Sequence, residues 1–157
     1  MNYAGIDNGV SGSISIITED GKTIFVPTPV KQVKGFRRLD WNKFIEIFRP
    51  YAGNCCVLLE KALQNPKRFK ATVSAAKCEE AECIAMEQLG IKYMIIDSSV
   101  WQKPLFTGKY KKLTTKQASL EFGNDNFPQF KQSKMKDRDA LCMAYYLKKN
   151  PNLFSKK

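Results

Sequence analysis

Residues 3–17 read YAGIDNGVSGSISII, and this stretch predicts how the fold begins. Residues 3–7 form a short apolar segment that ends in an acid, and residues 13–17 largely alternate between serine and isoleucine with a period of two. Residues 8–12 between them contain two glycines, which suit a tight connection between antiparallel strands. The stretch therefore predicts a β-hairpin with a carboxylate at the end of its first strand.

The chain that follows predicts one more strand of this meander and then alternating helices and strands. The third strand lies at residues 23–26, and Asp40 is placed to cap the first helix, at residues 41–49. The continuous apolar run at residues 55–59 predicts a strand buried on both faces, which ends at Glu60. The remaining predicted elements are helices at 72–89, 114–122 and 137–149 and a strand at 92–96. The predicted order is β-β-β-α-β-α-β-α.

The composition indicates one basic globular domain, at residues 1–149, followed by a basic tail at 150–157. Among 157 residues, 26 Lys and Arg stand against 15 Asp and Glu, which gives a net charge of +11. A hydrophobic content of 43% is enough for a core, so the positive charge coats a folded domain and predicts a polyanionic partner, nucleic acid before membrane. The sequence contains no long apolar run and no leader pattern, so we expect no membrane attachment.

The absence of histidine limits the chemistry that is available. It excludes a Ser-His-Asp triad, a Cys-His nucleophile pair and a zinc site with histidine ligands. The five cysteines form no CxxC pair, which indicates reduced, buried thiols and not a metal or redox centre. If the chain is an enzyme, its chemistry must depend on carboxylates, and we expect them to hold a metal.

Three acids occupy positions that an α/β sheet would bring together. Asp7 ends the first strand, Glu60 ends the buried fourth strand, and Asp139 lies at the start of the last helix. Ligands of such sheets bind beyond the carboxyl ends of the strands. If the first and fourth strands are neighbours, Asp7 and Glu60 lie side by side and need a cation such as Mg²⁺ to offset their repulsion. Taken singly, each acid is more typical of a cap or a surface charge, so the prediction depends on their joint placement.

These motifs resemble those of the RuvC family of Holliday junction resolvases, in the RNase H-like superfamily. GIDNGVSG at residues 5–12 resembles the first catalytic strand and turn, LLEK at 58–61 the second acidic motif, and DRDALCMA at 137–144 the C-terminal helix. The first motif is shared with sugar kinases, but the ordered set within 157 residues is more specific. The resemblance implies an α/β RNase H-like fold, a mixed five-stranded sheet with helices on both faces. The short length and missing histidine resemble a phage enzyme more than a bacterial one.

The sequence departs from this family at one position. A fourth metal-binding residue usually precedes the last acid by three positions, where this chain has Lys136. The nearest acid is Asp137, which would point about 200° away from Asp139 in a continuous helix. Both carboxylates can face one site only if Asp137 precedes the first helical turn. We therefore predict catalytic and metal-binding roles for Asp7, Glu60, Asp139 and Asp137.

Three groups of basic residues predict a DNA path beside these acids, because each follows a predicted strand or precedes the last helix. Several aromatic or apolar side chains are interleaved with them and are candidates to wedge or stack at an opened junction, although core packing is the commoner role for such residues. The predicted DNA-binding residues are Lys61, Lys67, Arg68, Lys70, Lys103, Lys109, Lys111, Lys112, Lys116, Lys134, Lys136 and Arg138. The interleaved side chains are Leu63, Phe69, Trp101, Phe106 and Tyr110.

The resemblance implies a structure-selective endonuclease, a hydrolase of phosphodiester bonds that cuts four-way junctions in DNA. It implies Mg²⁺ as cofactor, with Mn²⁺ as a substitute and two ions per site, and Lys112 or Lys116 near the developing negative charge. Paired cuts imply a homodimer, with the helix at 72–89 in the interface. We expect a location in the cytoplasm of a prokaryotic cell, for instance a phage-infected host.

Three other functions fit parts of the sequence. A related phage nuclease that cuts forks, flaps or packaging intermediates would have the same motifs, because junction choice depends on dimer geometry. A non-cleaving DNA-binding module would not need three acids that repel phosphate. A sugar kinase or other ATPase fragment would need a second phosphate-binding motif, which the sequence lacks.

Overall fold

The centre of the structure, a computed structural model that describes residues 1–155, is a mixed five-stranded sheet. In chain order the strands are β1 (Asn2–Asp7), β2 (Ser13–Ile17), β3 (Thr23–Pro27), β4 (Val30–Val33), β5 (Phe36–Leu39), β6 (Cys55–Glu60) and β7 (Lys92–Ile96). The helices are α1 (Trp41–Phe48), α2 (Phe69–Gln88), α3 (Ser98–Leu105), α4 (Thr115–Asn126) and α5 (Asp139–Lys149).

The sheet has the order β3-β2-β1-β6-β7. The first three strands in sequence pair antiparallel, whereas β6 lies parallel to both β1 and β7. Ile6 stands opposite Leu59, so the first strand and the strand at 55–60 are neighbours, which is the condition on which the predicted closeness of Asp7 and Glu60 depends. The carboxyl ends of β1 and β6 therefore meet at one edge of the sheet.

The alternation of side chains along β1 assigns its residues to two layers. Ala4 and Ile6 are fully buried against the layer formed by α1 and α2. Residues of the opposite parity, including Gly5 and Asp7, face the layer that contains α3, α4 and α5. The predicted RNase H-like arrangement, with helices on both faces of a five-stranded mixed sheet, is confirmed.

Helix α5 lies directly on β1, and the absence of a side chain at Gly5 permits this contact. A β carbon at Gly5 would lie 2.3 Å from the carbonyl oxygen of Ala140 and 2.7 Å from the backbone nitrogen of Ala144. These are backbone atoms of the helix, so they cannot move aside as a flexible side chain would. The close contact fixes the height at which α5, and the acid at its first position, stands above the sheet.

A separate two-stranded sheet and one helix were not predicted from the sequence. Strands β4 and β5 form a hairpin outside the main sheet, although most of their side chains are exposed and their apolar residues do not alternate with polar ones. Helix α3 begins directly after Asp97 and contains Pro104 in its last turn. The eight residues of α3 are too short for a clear apolar period, and Trp101 alone buries its side chain fully.

The predicted tail begins with ordered structure. Residues Pro151–Phe154 form a 3-10 turn, and Leu153 and Phe154 pack against the core beside α5. The rest of the basic tail includes Lys156 and Lys157, which lie outside the described residues.

The helix boundaries differ by a few residues from the prediction, because α2 begins at Phe69 and α5 begins at Asp139. All five cysteines are buried and unpaired, as the sequence indicates. No helix within residues 1–155 has both the length and the apolar character needed to cross a membrane.

Candidate active site

Three carboxylates converge at the edge of the sheet where β1 and β6 end. Asp7 and Glu60 are the last residues of these strands, and Asp139 is the first residue of α5. Asp7 shares the face of β1 that Gly5 presents to α5, so the helix brings Asp139 over the ends of the strands. One carboxylate oxygen from each of the three residues lies within 4.8 Å of the others. The structure therefore brings together the three acids that the sequence analysis singled out.

Burial and mutual repulsion make these carboxylates weak acids. Burial raises the pKa of Asp7 well above its usual value, and the charges of Asp139, Asp137 and Glu60 raise it further. Burial, with the charge of Asp139, raises the pKa of Glu60 to about 7. Burial, with the charge of Asp137, raises the pKa of Asp139 to about 6. Three half-buried acids in this arrangement are unfavourable without a positive charge between them.

The Glu60 carboxylate also has an unsatisfied oxygen. Its Oε2 atom is buried and accepts no hydrogen bond. The indole N–H of Trp101 lies close enough to oppose the rise in the pKa of Glu60, but it forms no hydrogen bond of normal geometry. A buried oxygen without a partner costs free energy, and a hard cation with oxygen ligands would satisfy it.

Asp137 takes a different place from the other three acids. It precedes the first turn of α5, as the sequence analysis required for it to approach the site, and its Oδ1 accepts a hydrogen bond of 3.4 Å from the backbone N–H of Asp139. Within residues 1–155, the group of three carboxylates with converging oxygens does not include Asp137. Its charge still acts on Asp139, since it raises the pKa of that carboxyl. A metal-binding role for Asp137 stays a prediction.

A cleft of about 530 Å³ opens beside the carboxylates. Glu60 and Asp139 lie in its wall together with two of the predicted DNA-binding residues, Lys61 and Lys116. The positive charge of Lys116 opposes the rise in the pKa of Asp139, which places this ammonium group near the acid. Asp97 also lines the cleft and was missed, although it follows the parallel strand β7 directly and the same argument from strand ends would have found it.

The other predicted DNA-binding lysines lie on the surface at several distances from this cleft. Lys134 and Lys136 line a small depression beside Asp137. The ammonium group of Lys109 lies 2.6 Å from the carboxylate of Asp125, so its charge already has a partner. The remaining predicted basic residues, apart from Arg138, are exposed: Lys67, Arg68, Lys70, Lys103, Lys111 and Lys112.

The prediction that Arg138 binds DNA is wrong, because its side chain is 1% exposed. Its guanidinium donates hydrogen bonds of 2.9 to 3.0 Å to the carbonyl oxygens of Phe130, Met135 and Asp137. Burial lowers its pKa. Gly123 makes room for it, since a β carbon there would lie 2.3 Å from Cβ of Arg138. Arg138 thus fastens the segment before α5 and holds Asp137 and Asp139 in place.

Two further buried polar residues affect the pKa values of the acids, Ser119 that of Asp139 and Glu82 that of Asp7. Ser119 in α4 is fully buried, accepts a hydrogen bond of 3.1 Å from the backbone N–H of Arg138 and opposes the rise in the pKa of Asp139. Glu82 in α2 is also fully buried, and burial raises its pKa to about 8. No sequence motif marks either residue, since both depend on packing between helices.

The interleaved aromatic residues divide into core and surface. Trp101 is fully buried, and Phe106 and Tyr110 pack against the same cluster, so these three belong to the core. Leu63 and Phe69 are 76% and 72% exposed. Only these two of the five are therefore placed to touch a ligand on the surface.

Two RuvC structures are among the solved structures that share this fold. "T. thermophilus RuvC in complex with Holliday junction substrate" is 14% identical, with a TM-score of 0.64 over 100% of this chain and 98% of that chain. A second Thermus thermophilus RuvC structure is 14% identical, with a TM-score of 0.60 over 96% of this chain and 97% of the other. No protein-family model and no curated protein matches the sequence. The expected RuvC-like fold is confirmed over the whole chain, whereas the phage type stays a prediction.

Proposed function

We propose that the chain is a metal-dependent, structure-selective DNA endonuclease that resolves four-way junctions by paired hydrolysis of phosphodiester bonds. The observation that supports this most directly is the convergence of Asp7, Glu60 and Asp139, whose oxygens lie within 4.8 Å of one another. The fold agrees with the proposal, since the RuvC structure that covers the whole chain was solved with a Holliday junction substrate.

The carboxylates fit a site for Mg²⁺, with Mn²⁺ as a substitute. The donors are all oxygen atoms, which Mg²⁺ prefers, and the buried Oε2 atom of Glu60 has no other partner. Asp7, Glu60 and Asp139 would hold the ions, and Asp137 is the fourth candidate. Two Mg²⁺ ions would supply Lewis-acid stabilisation of the attacking and leaving oxygens of a phosphodiester.

The remaining residues of the cleft position the DNA and balance its charge. Lys61 and Lys116 stand on the same wall as Glu60 and Asp139, where they can draw a phosphate toward the carboxylates. Lys116 is the stronger candidate to stabilise negative charge that develops on the phosphate, because its own charge acts on Asp139. Lys112 does not line the cleft, and this favours Lys116 over it.

Paired cuts require two active sites, so we propose a homodimer. Helix α2 is the candidate interface, and Ile84 on its outer surface is 47% exposed. Ala81, on the alanine-rich face, packs against the core instead. Ile84→Glu should therefore shift the protein from dimer to monomer in sedimentation velocity without unfolding it, and a wild-type protein that is monomeric alone and on a junction would exclude the dimer.

A non-cleaving DNA-binding module is the second candidate function, but the presence of Asp7, Glu60 and Asp139 beside the cleft disfavours it. Three half-buried carboxylates beside a DNA cleft repel phosphate and destabilise the fold. Bound metal ions would offset both effects, whereas a module that only binds DNA would gain nothing from these acids. A nuclease that cuts forks or flaps would have the same active site, so only its substrate distinguishes it from a junction resolvase.

The test is cleavage of labelled four-way, three-way, flap and linear DNA in Mg²⁺, in Mn²⁺ and in EDTA. We expect the four-way junction to be cut in both metals and not in EDTA. Asp7→Asn, Glu60→Gln and Asp139→Asn should each abolish cleavage and keep junction binding, since each removes a ligand and a source of phosphate repulsion. Glu46→Gln, at an exposed position of α1, is the matched control and should cut normally.

Each alternative has its own outcome in this experiment. If flaps or three-way DNA are cut in preference to the four-way junction, the proposed substrate changes to that branched DNA. Binding without cleavage of any substrate in either metal would establish the non-cleaving module.

A further inference from the structure

The missed hairpin and the first half of α2 enclose a groove, which we call the hairpin groove. It consists of two adjoining depressions of about 300 and 550 Å³ that share Arg37, Arg38 and Lys77 in their walls. The hairpin β4–β5 forms one wall, and residues 69–81 of α2 form the other. Since α2 lies on the face of the sheet opposite α5, the groove is separate from the carboxylate cleft.

The hairpin is a defined local structure and not a loose loop. Val33 pairs with Phe36, so Lys34 and Gly35 form a two-residue turn, and both have positive φ angles, of 49° and 81°. Such a pair of angles is typical of the type I′ turn that suits a twisted hairpin. The Arg37 guanidinium donates a hydrogen bond to the carbonyl oxygen of Val10, which ties the hairpin to the turn that follows Asp7. The groove therefore begins three residues beyond a carboxylate of the proposed active site.

The walls of the hairpin groove bear positive charge only. Of the side chains that line the two depressions, six are basic and none is acidic. The basic residues are Lys31, Lys34, Arg37, Arg38, Lys70 and Lys77. Six like charges around one concave surface repel each other unless a polyanion lies between them. The charge also disfavours a second copy of this chain as the occupant, because a symmetric contact would bring two such surfaces together.

Exposed aromatic rings stand among these charges. Phe36 at the hairpin and Phe69 at the start of α2 line the same depression, and each is 72% exposed. Large apolar side chains are rarely left this exposed in pairs without a ligand. A basic groove with exposed aromatic rings is the arrangement that binds unpaired nucleotides, since phosphates pair with the cations and bases stack on the rings.

We propose that the hairpin groove is a second nucleic-acid site, which holds an unpaired strand beside the cleavage centre. Lys34 and Arg38 contact its phosphates, and Phe36 stacks on one of its bases. The inference rests on the proposed function for the source of that strand, which an opened junction or a flap supplies. Its test does not depend on cleavage.

The test measures binding of fluorescent oligodeoxythymidylate and of a blunt duplex of equal length to the full chain in EDTA, by anisotropy at several salt concentrations. Lys34→Ala with Arg38→Ala should weaken binding of the single strand and reduce its salt slope by about 1.4, because each phosphate that the protein no longer neutralises lowers the slope by about 0.7. Arg37 is left unchanged, because it holds the hairpin to the β1–β2 turn.

The aromatic contact is tested separately. Phe36→Ala should weaken binding of the single strand by roughly 5- to 150-fold, the loss typical of one base stack, and leave duplex binding unchanged. A Phe36→Trp protein should bind the single strand as well as the wild type does, because tryptophan can also stack on a base. A merely structural role of Phe36 would not predict this. Lys92→Ala with Lys148→Ala is the matched control for the Lys34→Ala, Arg38→Ala variant, because it removes two exposed positive charges that do not line the groove.

Three outcomes would overturn the inference. The first is an equal loss of single-strand affinity in the Lys34/Arg38 and Lys92/Lys148 variants. The second is unchanged single-strand binding by the Phe36→Ala protein. The third is a Phe36→Ala protein whose only change is a lower sedimentation coefficient, which would make the groove a contact between copies of the chain. Protein that binds oligodeoxythymidylate through the groove but cuts no DNA would support the inference and remove the proposed function.

Discussion

The carboxylate edge of the sheet and the β4–β5 hairpin both present charge to a ligand, but they hold it in different ways. Each acid of the edge ends a strand or begins a helix that is anchored in the core, and packing forces the three together against their repulsion. The hairpin belongs to a separate two-stranded sheet, and its charges face solvent. Hydrolysis of a phosphodiester needs catalytic groups whose positions are fixed to a fraction of an ångström, and elements anchored in the core provide this. Binding of a flexible nucleic-acid strand needs less precision, so a locally stable hairpin is sufficient for it.

The largest difference between the two regions should appear when a side chain is added. Gly5→Val places atoms where α5 meets β1, with its β carbon 2.3 Å from the Ala140 carbonyl oxygen, so α5 must move outward. We expect a loss of about 4 kcal/mol or more in the free energy of unfolding, measured with guanidinium. Gln32→Val adds the same side chain at an exposed position of the hairpin and should change it by less than about 0.5 kcal/mol. Equal effects would show that α5 does not rest on Gly5.

The response to pH should separate the two regions next. Raised pKa values, about 7 for Glu60 and about 6 for Asp139, mean that the folded state keeps these protons to higher pH than the unfolded chain does. Protonation therefore favours the folded state, and this stability is present near pH 4 and lost as pH rises through 6 and 7. In EDTA we expect a loss on the order of 3 kcal/mol between pH 5 and pH 8.

This pH effect is measured by thermal unfolding of the wild type with and without Mg²⁺. Mg²⁺ should reduce the loss, because it replaces the protons of the three converging acids, and Asp139→Asn should make the profile in EDTA shallower but not flat, since Glu60 and the buried Glu82, whose pKa is raised to about 8, still titrate. The Lys34→Ala, Arg38→Ala variant should keep the wild-type profile, since both residues lie on the hairpin, outside the carboxylate edge. A wild-type profile that rises between pH 5 and pH 8 in EDTA would contradict the raised pKa values.

A buried and an exposed arginine should respond differently to the same conservative change. Arg138→Lys removes the fork that reaches the carbonyl oxygens of Phe130 and Asp137, and we expect a loss of about 2 kcal/mol. Arg38→Lys in the hairpin should cost less than about 0.5 kcal/mol. Chemical unfolding compares them, and a loss for Arg38→Lys as large as that for Arg138→Lys would show that burial does not separate these residues.

The smallest effect should be local to the hairpin. Lys34 has a φ angle of 49°, which asparagine adopts more readily, and Asn-Gly is a preferred type I′ turn. Lys34→Asn should stabilise the hairpin by about 0.5 kcal/mol and slow the exchange of its amide hydrogens, while the exchange of β1 and β6 stays unchanged. Faster exchange in the hairpin would mean that its turn is not of this type.

The sequence was informative where local pattern and function coincide. Asp7 and Glu60 end apolar runs and Asp139 begins an amphipathic helix, so the position of each acid follows from the element that bears it. The closeness of Asp7 and Glu60 was expected only if β1 and β6 were neighbours, and the structure shows that these two strands pair.

The sequence was uninformative where long-range packing decides. Arg138 stands in a run of lysines and acids that is typical of a surface, and its burial depends on Gly123 and on the carbonyl groups that surround it. The hairpin was missed because its strands expose both faces and therefore show no apolar alternation. Its turn also places lysine where asparagine would have been the usual indication.

The contact of α5 with Gly5 has a consequence for the order of events during synthesis. Asp7 and Glu60 leave the ribosome well before Asp139, and the third carboxylate reaches them only when the last helix docks on the first strand. A contact between such distant parts of the chain forms late, since the intervening loop must close first. A nascent or truncated chain therefore has two of the three converging acids, and the proposed nuclease becomes able to cut nucleic acid only when folding is complete.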